Sequence, residues 1–186
     1  MIPRIARAVL GLALAASCFA QKVPRPAGEF VINLNNSRPI LLSQYSGKVV
    51  VVIFLYTTCP HCQHTTQILS GIQKEYGDRG LQILGAAFNP NAPDLVPGFI
   101  QQFRPVFPVG FAERESVEEY LQQPPGKPSY VPQMVFIDRG RTIREQHTGS
   151  DDFFKDQEKN IRTLVESLLK EPATAKKAHA TRKKPS

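Results

Sequence analysis

Apolar residues fall along this chain in two rhythms, and where one gives way to the other marks the elements. Val49 to Leu55 are seven consecutive apolar residues, mostly β-branched. Such a run is too short to span a bilayer and predicts a strand buried on both faces, central in its sheet. Behind it Ile68, Leu69, Ile72 and Tyr76 repeat at helical spacing until Gly77, which predicts a helix ending there. Leu81–Phe88 is a second apolar strand, so strand, helix and strand form a right-handed βαβ unit. Upstream, Glu29–Leu34 and Ile40–Leu42 flank Asn35-Asn36-Ser37-Arg38 and read as a small hairpin. Residues 89–102 predict a loop and a short helix, Phe107–Phe111 a short strand and Glu113–Leu121 a helix. Pro124, Pro125, Gly126 and Pro128 make 122–129 a loop. Met134–Asp138 and Thr142–His147, turned at Arg139-Gly140, form a last hairpin whose second, more polar strand lies nearer an edge. Ile161, Leu164, Val165, Leu168 and Leu169 put one apolar stripe on a final helix, 151–170, closed by Pro172. The alternation implies an α/β domain.

One stretch prescribes a chemistry. Cys59-Pro60-His61-Cys62 stands where the buried strand turns into the first turn of a helix. That turn carries unpaired N–H groups and about half a unit of positive charge, which favours a thiolate over a thiol. The thiolate is the attacking species, so Cys59 is the expected nucleophile, and Cys62, one turn further in, is placed to resolve a mixed disulfide. Pro60 suits an early helical position because its missing N–H would have had no partner. His61, when protonated, adds to the stabilisation of the thiolate, so Pro60 and His61 are the expected redox-tuning residues. A zinc site is the competing reading of two such cysteines. It needs further ligands, a second CxxC is absent, and His64, two residues beyond Cys62, points away from it. No metal is expected; His64 is read as a surface histidine, and His147 and His179 are left unassigned with solvent-facing as the default.

Charge narrows the partners. Of the formal +7 over 186 residues, Arg4 and Arg7 contribute two and residues 171–186 contribute four, which leaves the body of the chain nearly neutral. It has no basic stripe interleaved with aromatics, so nucleic-acid binding is not expected. Arg4 and Arg7 followed by apolar residues 8–16 read as a signal peptide over residues 1–20, hence an exported protein. Two cleavage sites fit: after Ala20, or before Cys18, where Ala15-Ala16-Ser17-Cys18 is a permissive lipoprotein signal that would lipidate Cys18 and anchor the protein at a membrane. Residues 21–27 read as a proline-containing linker and residues 171–186 as a disordered basic tail. Only two cysteines then remain in the domain, matched to one catalytic pair.

The apolar strand, the CxxC, the helix and then Tyr130-Val131-Pro132-Gln133 before another apolar strand resemble a thioredoxin-fold thiol:disulfide oxidoreductase of the TlpA/ResA-like, redoxin-type family. The Pro-His pair between the cysteines resembles that of the disulfide oxidase DsbA. The resemblance covers residues 28–170 and implies a thioredoxin-like α/β fold there, with a central mixed sheet flanked by helices and an N-terminal hairpin extension. It implies a cis Val131–Pro132 bond, a substrate groove formed by Thr58, Val131 and Pro132 beside Cys59, and no cofactor beyond the redox-active disulfide. Protein substrates with thiols or disulfides, a membrane redox partner and a location in the periplasm or on the outer face of the cell membrane follow from it. Two departures stand out: the family's buried acid six residues before the first cysteine is Ile53 here, and its aromatic just before that cysteine is Thr58. A peroxiredoxin-like thiol peroxidase would need proline at Val52 and threonine at Tyr56, and a copper-binding chaperone of this fold a CxxxC and a histidine near Tyr130.

Overall fold

A computed structural model describes residues 23–124 and 126–172. The expected signal peptide, Cys18, His179 and almost all of the basic tail lie outside the described residues. The strands are β1 (Arg25–Pro26), β2 (Val31–Leu34), β3 (Ser37–Leu41), β4 (Val49–Leu55), β5 (Leu81–Ala87), β6 (Val109–Phe111), β7 (Gln133–Ile137) and β8 (Thr142–His147). The helices are α1 (Pro60–Tyr76), α2 (Ala92–Phe103), α3 (Arg114–Tyr120) and α4 (Gln157–Lys170). All strands join one mixed sheet in the order β1-β8-β7-β4-β5-β6-β2-β3. The central position of β4 follows from its composition: it runs parallel to β5 and antiparallel to β7, and all seven of its side chains are buried.

The alternation of β4 divides the interior into two cores. Val49, Val51, Ile53 and Leu55 face α1, α2 and α4, together with Cys62, Leu69, Ile72, Val96, Ile161 and Val165. Val50, Val52 and Phe54 face the other way, where Ala27, Phe30, Ile32 and Ile40 of the N-terminal segment and Val117 and Leu121 at α3 cover them. The N-terminal hairpin is present and pairs through Asn33 with Phe111 of β6.

Two expectations need correction. Residues 25 and 26 are not linker: they pair antiparallel with Thr142 and Ile143, and Arg25 donates to Tyr120 O (2.9 Å) and Gln146 Oε1 (2.7 Å), so β8 is covered by a short outer strand. α1 ends at Gly77 as the spacing predicts, and a separate 3₁₀ turn then carries the chain to Arg79 and closes at Gly80, whose φ of 100° suits a residue without a Cβ. The last helix begins later than residue 151, since Asp152–Asp156 form a 3₁₀ turn before α4.

Candidate active site

The turn between β4 and α1 is held in place from both ends. Thr57, buried, gives its N–H and its hydroxyl to Asn89 Oδ1 (2.9 and 3.3 Å), and its carbonyl accepts from Gln63 Nε2 (2.9 Å). Asn89 stands just after β5, so the neighbouring strand fixes the approach to the cysteines. Cys59 is the N-cap of α1: its N–H donates to Tyr56 O (3.1 Å), and its Sγ accepts from Cys62 N–H at 3.5 Å. Both cysteines are free thiols, Cys59 half-buried and Cys62 fully buried. Burial pushes the Cys62 thiol far above its ordinary range; a backbone hydrogen bond from Tyr56 opposes this and neighbouring Cys59 adds to it.

Cys62 sits in the core with Ile53, Leu55, Met134 and Phe136. The buried polar side chains among the described residues, Thr57, Thr65, Thr66, Asn89 and Gln133, include no carboxylate. Ile53 therefore leaves the thiol without an ionisable buried neighbour.

Pro60 is the first residue of α1, and Thr58, Pro60 and His61 are exposed. His61 lines a cleft of about 290 Å³ with Thr65, Val131, Pro132, Gly149, Phe154 and Gln157 among others. Thr58, placed in the groove from sequence, is not part of that cleft. The Thr65 hydroxyl bonds His61 O (2.9 Å) and the Gln157 side chain (2.7 Å), tying the first turn of α1 to the start of α4. The Val131–Pro132 peptide is cis, and Val131 packs against both cores. Tyr130 is 53% exposed beside it. His64 is exposed, as expected. His147 does not face solvent: it stacks on Phe153 at 3.9 Å, with Nδ1 3.7 Å from Asp151 Oδ2, and burial lowers its pKa.

Gly149 is a site residue that the sequence reading missed. Its N–H donates to Tyr130 O (3.1 Å), as does the Thr148 hydroxyl (3.1 Å), and a Cβ there would sit 2.6 Å from Val131 O. Only glycine fits this approach. In the sequence it is an ordinary turn residue after a strand, and nothing ties it to Val131, eighteen positions earlier. Asn89 and Gln157 were equally silent.

A dithiol that caps the first helix, a buried strand feeding it and a cis-proline loop against the same core define a protein of the thioredoxin-like fold. Solved structures agree. A thiol:disulfide interchange protein, thioredoxin family protein, from Chlorobium tepidum superposes with a TM-score of 0.66 at 23% identity, covering 81% of this chain and 99% of its own. A thiol:disulfide interchange protein from a Bacteroides species gives 0.62 at 16% identity, covering 86% and 95%. The Redoxin family model matches residues 21–164, and the chain belongs to that family. Its relatives include the thiol-disulfide oxidoreductase ResA of Halalkalibacterium halodurans, 28% identical over 146 residues, which are 75% of this chain and 78% of the relative. ResA of Geobacillus thermodenitrificans is 27% identical over 148 residues, 77% and 81% respectively. The chain is a TlpA/ResA-like thioredoxin-fold oxidoreductase.

Proposed function

We propose that the protein exchanges disulfides with protein substrates outside the cytoplasm through Cys59 and Cys62, with no cofactor beyond that redox-active pair. The observation that carries this reading is the division between the two thiols: Cys59 caps the helix half-exposed, and Cys62 lies buried one turn behind with its N–H on the Cys59 sulfur. In the reducing direction the Cys59 thiolate attacks a substrate disulfide, forming a mixed disulfide and releasing one substrate thiolate. Cys62 then loses its proton and attacks the Cys59 sulfur, which closes the Cys59–Cys62 disulfide and releases the second thiolate. The oxidising direction is the reverse. Val131 would present its backbone to an extended substrate segment, and Pro132, His61 and the cleft beside them would receive the adjoining side chains. Thr58 would border the same face.

Arg4 and Arg7 before an apolar stretch support export, Ala15-Ala16-Ser17-Cys18 supports a lipid anchor on Cys18, and the likeness to ResA supports a membrane redox partner. Among the described residues no helix is long and apolar enough to cross a membrane. Pro60-His61 favours the oxidising end of a range that spans about 150 mV between thioredoxin and DsbA.

Mixed-disulfide trapping tests the reading. Replacing Cys62 with Ser should leave a disulfide-bearing peptide covalently attached at Cys59, and Cys59→Ser should trap nothing. Equal trapping by both variants would sink it.

A further inference from the structure

Gln133, directly after Pro132, is 1% exposed on β7. By the alternation of β7, with Val135 and Ile137 in the second core, its side chain lies on the sheet face opposite Cys62. Its Nε2 donates to Ser129 Oγ at 2.7 Å, closing a side-chain bridge over Tyr130, Val131 and Pro132. Its Oε1 is buried with no hydrogen-bond partner among the described residues. An apolar residue would avoid the desolvation of that oxygen, which makes Gln133 a poor choice for stability alone.

The bridge has a counterpart on the other flank. Gly149 N–H and the Thr148 hydroxyl both hold Tyr130 O, and Gly149 lies against the Val131 carbonyl. The Val131 N–H, between these two fastenings, donates to no group among the described residues. The segment is thus pinned at Ser129, Tyr130 and Gln133, and the Val131 N–H, unpaired among the described residues like those of Ser129 and Tyr130, is the one held at the half-buried position next to Pro132.

We propose that Gln133 is a positioning residue for substrate capture: through Ser129 it fixes the direction of the Val131 N–H, so that an extended polypeptide can pair there while Cys59 attacks its disulfide. This rests on the reading of Val131 as the substrate-pairing backbone. Gln133 touches neither the cysteines nor the substrate, so its influence reaches only substrates that have a backbone to pair.

The test compares two disulfides with the reduced full-length protein: a peptide containing one disulfide, and cystamine, which has no peptide backbone. Wild type should favour the peptide. Gln133→Leu, which fills the buried site with an apolar side chain, should raise KM for the peptide about three- to tenfold with kcat nearly unchanged, the worth of one well-placed hydrogen bond. Its rate with cystamine and its Tm should not fall. Ser129→Ala, in the loop, should reproduce the peptide defect without changing the buried site. The double variant should be no worse than either single one, because both remove the same bridge. Peptide kinetics of Gln133→Leu at the wild-type level would overturn the positioning role alone, as would equal losses with both disulfides. A wild-type protein with no preference for the peptide would overturn the pairing role of Val131 itself.

Discussion

At the scale of single residues, the two cysteines are the same side chain in two environments, and the chemistry comes from the difference. Cys59 stands at a helix cap; Cys62 is sealed among aliphatic side chains, where its charged form is disfavoured. The residues between them tune the pair. His61 is exposed on the first turn of α1 and lines the cleft with Val131 and Pro132. One unit charge near 4 Å in water is worth about 1 kcal/mol, or about 20 mV for a two-electron couple. His61→Pro should therefore make the Cys59–Cys62 potential more negative by about that amount, measured in glutathione buffers, and an unchanged potential would remove His61 from the tuning role. The cysteines, Pro60, His61, Val131 and Pro132 were legible in the sequence because each belongs to a short motif. Asn89, Gly149 and Gln133 were not, because what they do depends on a partner far along the chain or on a contact that no spacing encodes.

Among the elements, β4, α1, β5 and β8 form where the hydrophobic pattern puts them, since a run buried on both faces and a four-residue helical stripe each have one good solution. The pattern fails where a backbone contact, not a side chain, decides. Gly110 in β6 shows why: a Cβ there would meet Asn33 O at 2.1 Å, where β2 joins the sheet. Its sequence context, Pro108-Val109-Gly110-Phe111, gives no sign of this. Gly110→Ala should push the N-terminal hairpin off β6 and destabilise the protein by about 1–3 kcal/mol, the usual cost of overpacking. Denaturant unfolding would report the loss, and hydrogen exchange should locate it in β2 and β3. Wild-type stability in this variant would mean that the hairpin yields without strain. The same blindness explains β1: two residues of a proline-rich stretch carry no strand signal, and Arg25 reaches Tyr120 and Gln146 only once β8 is in place.

For the molecule as a whole, one half-buried and one buried titrating group should bound the pH range of stability. Burial lowers the His147 pKa, so the unfolded chain takes up its proton first; stability present above about pH 6.5 is lost as the pH falls. Burial raises that of Cys62, so the unfolded chain loses its proton first, and stability present below about pH 8.5 is lost as the pH rises. The reduced protein should show a plateau of Tm between these values with a decline on each side. His147→Phe, which keeps a ring on Phe153, should flatten the acid arm, and Cys62→Ala the alkaline one. Arms unchanged in these variants would assign the decline to other groups.

The N-terminal segment also has a consequence in time. Residues 25–41 supply strands to both ends of the sheet and cover the second core with Ala27, Phe30 and Ile32, although their partners in β6 and β8 come about 80 and 117 positions later. Pairings between such distant parts of a chain close slowly. The first residues of the domain to be made are therefore the last to settle, after the strand, helix and thiols of the redox face have assembled from nearby sequence.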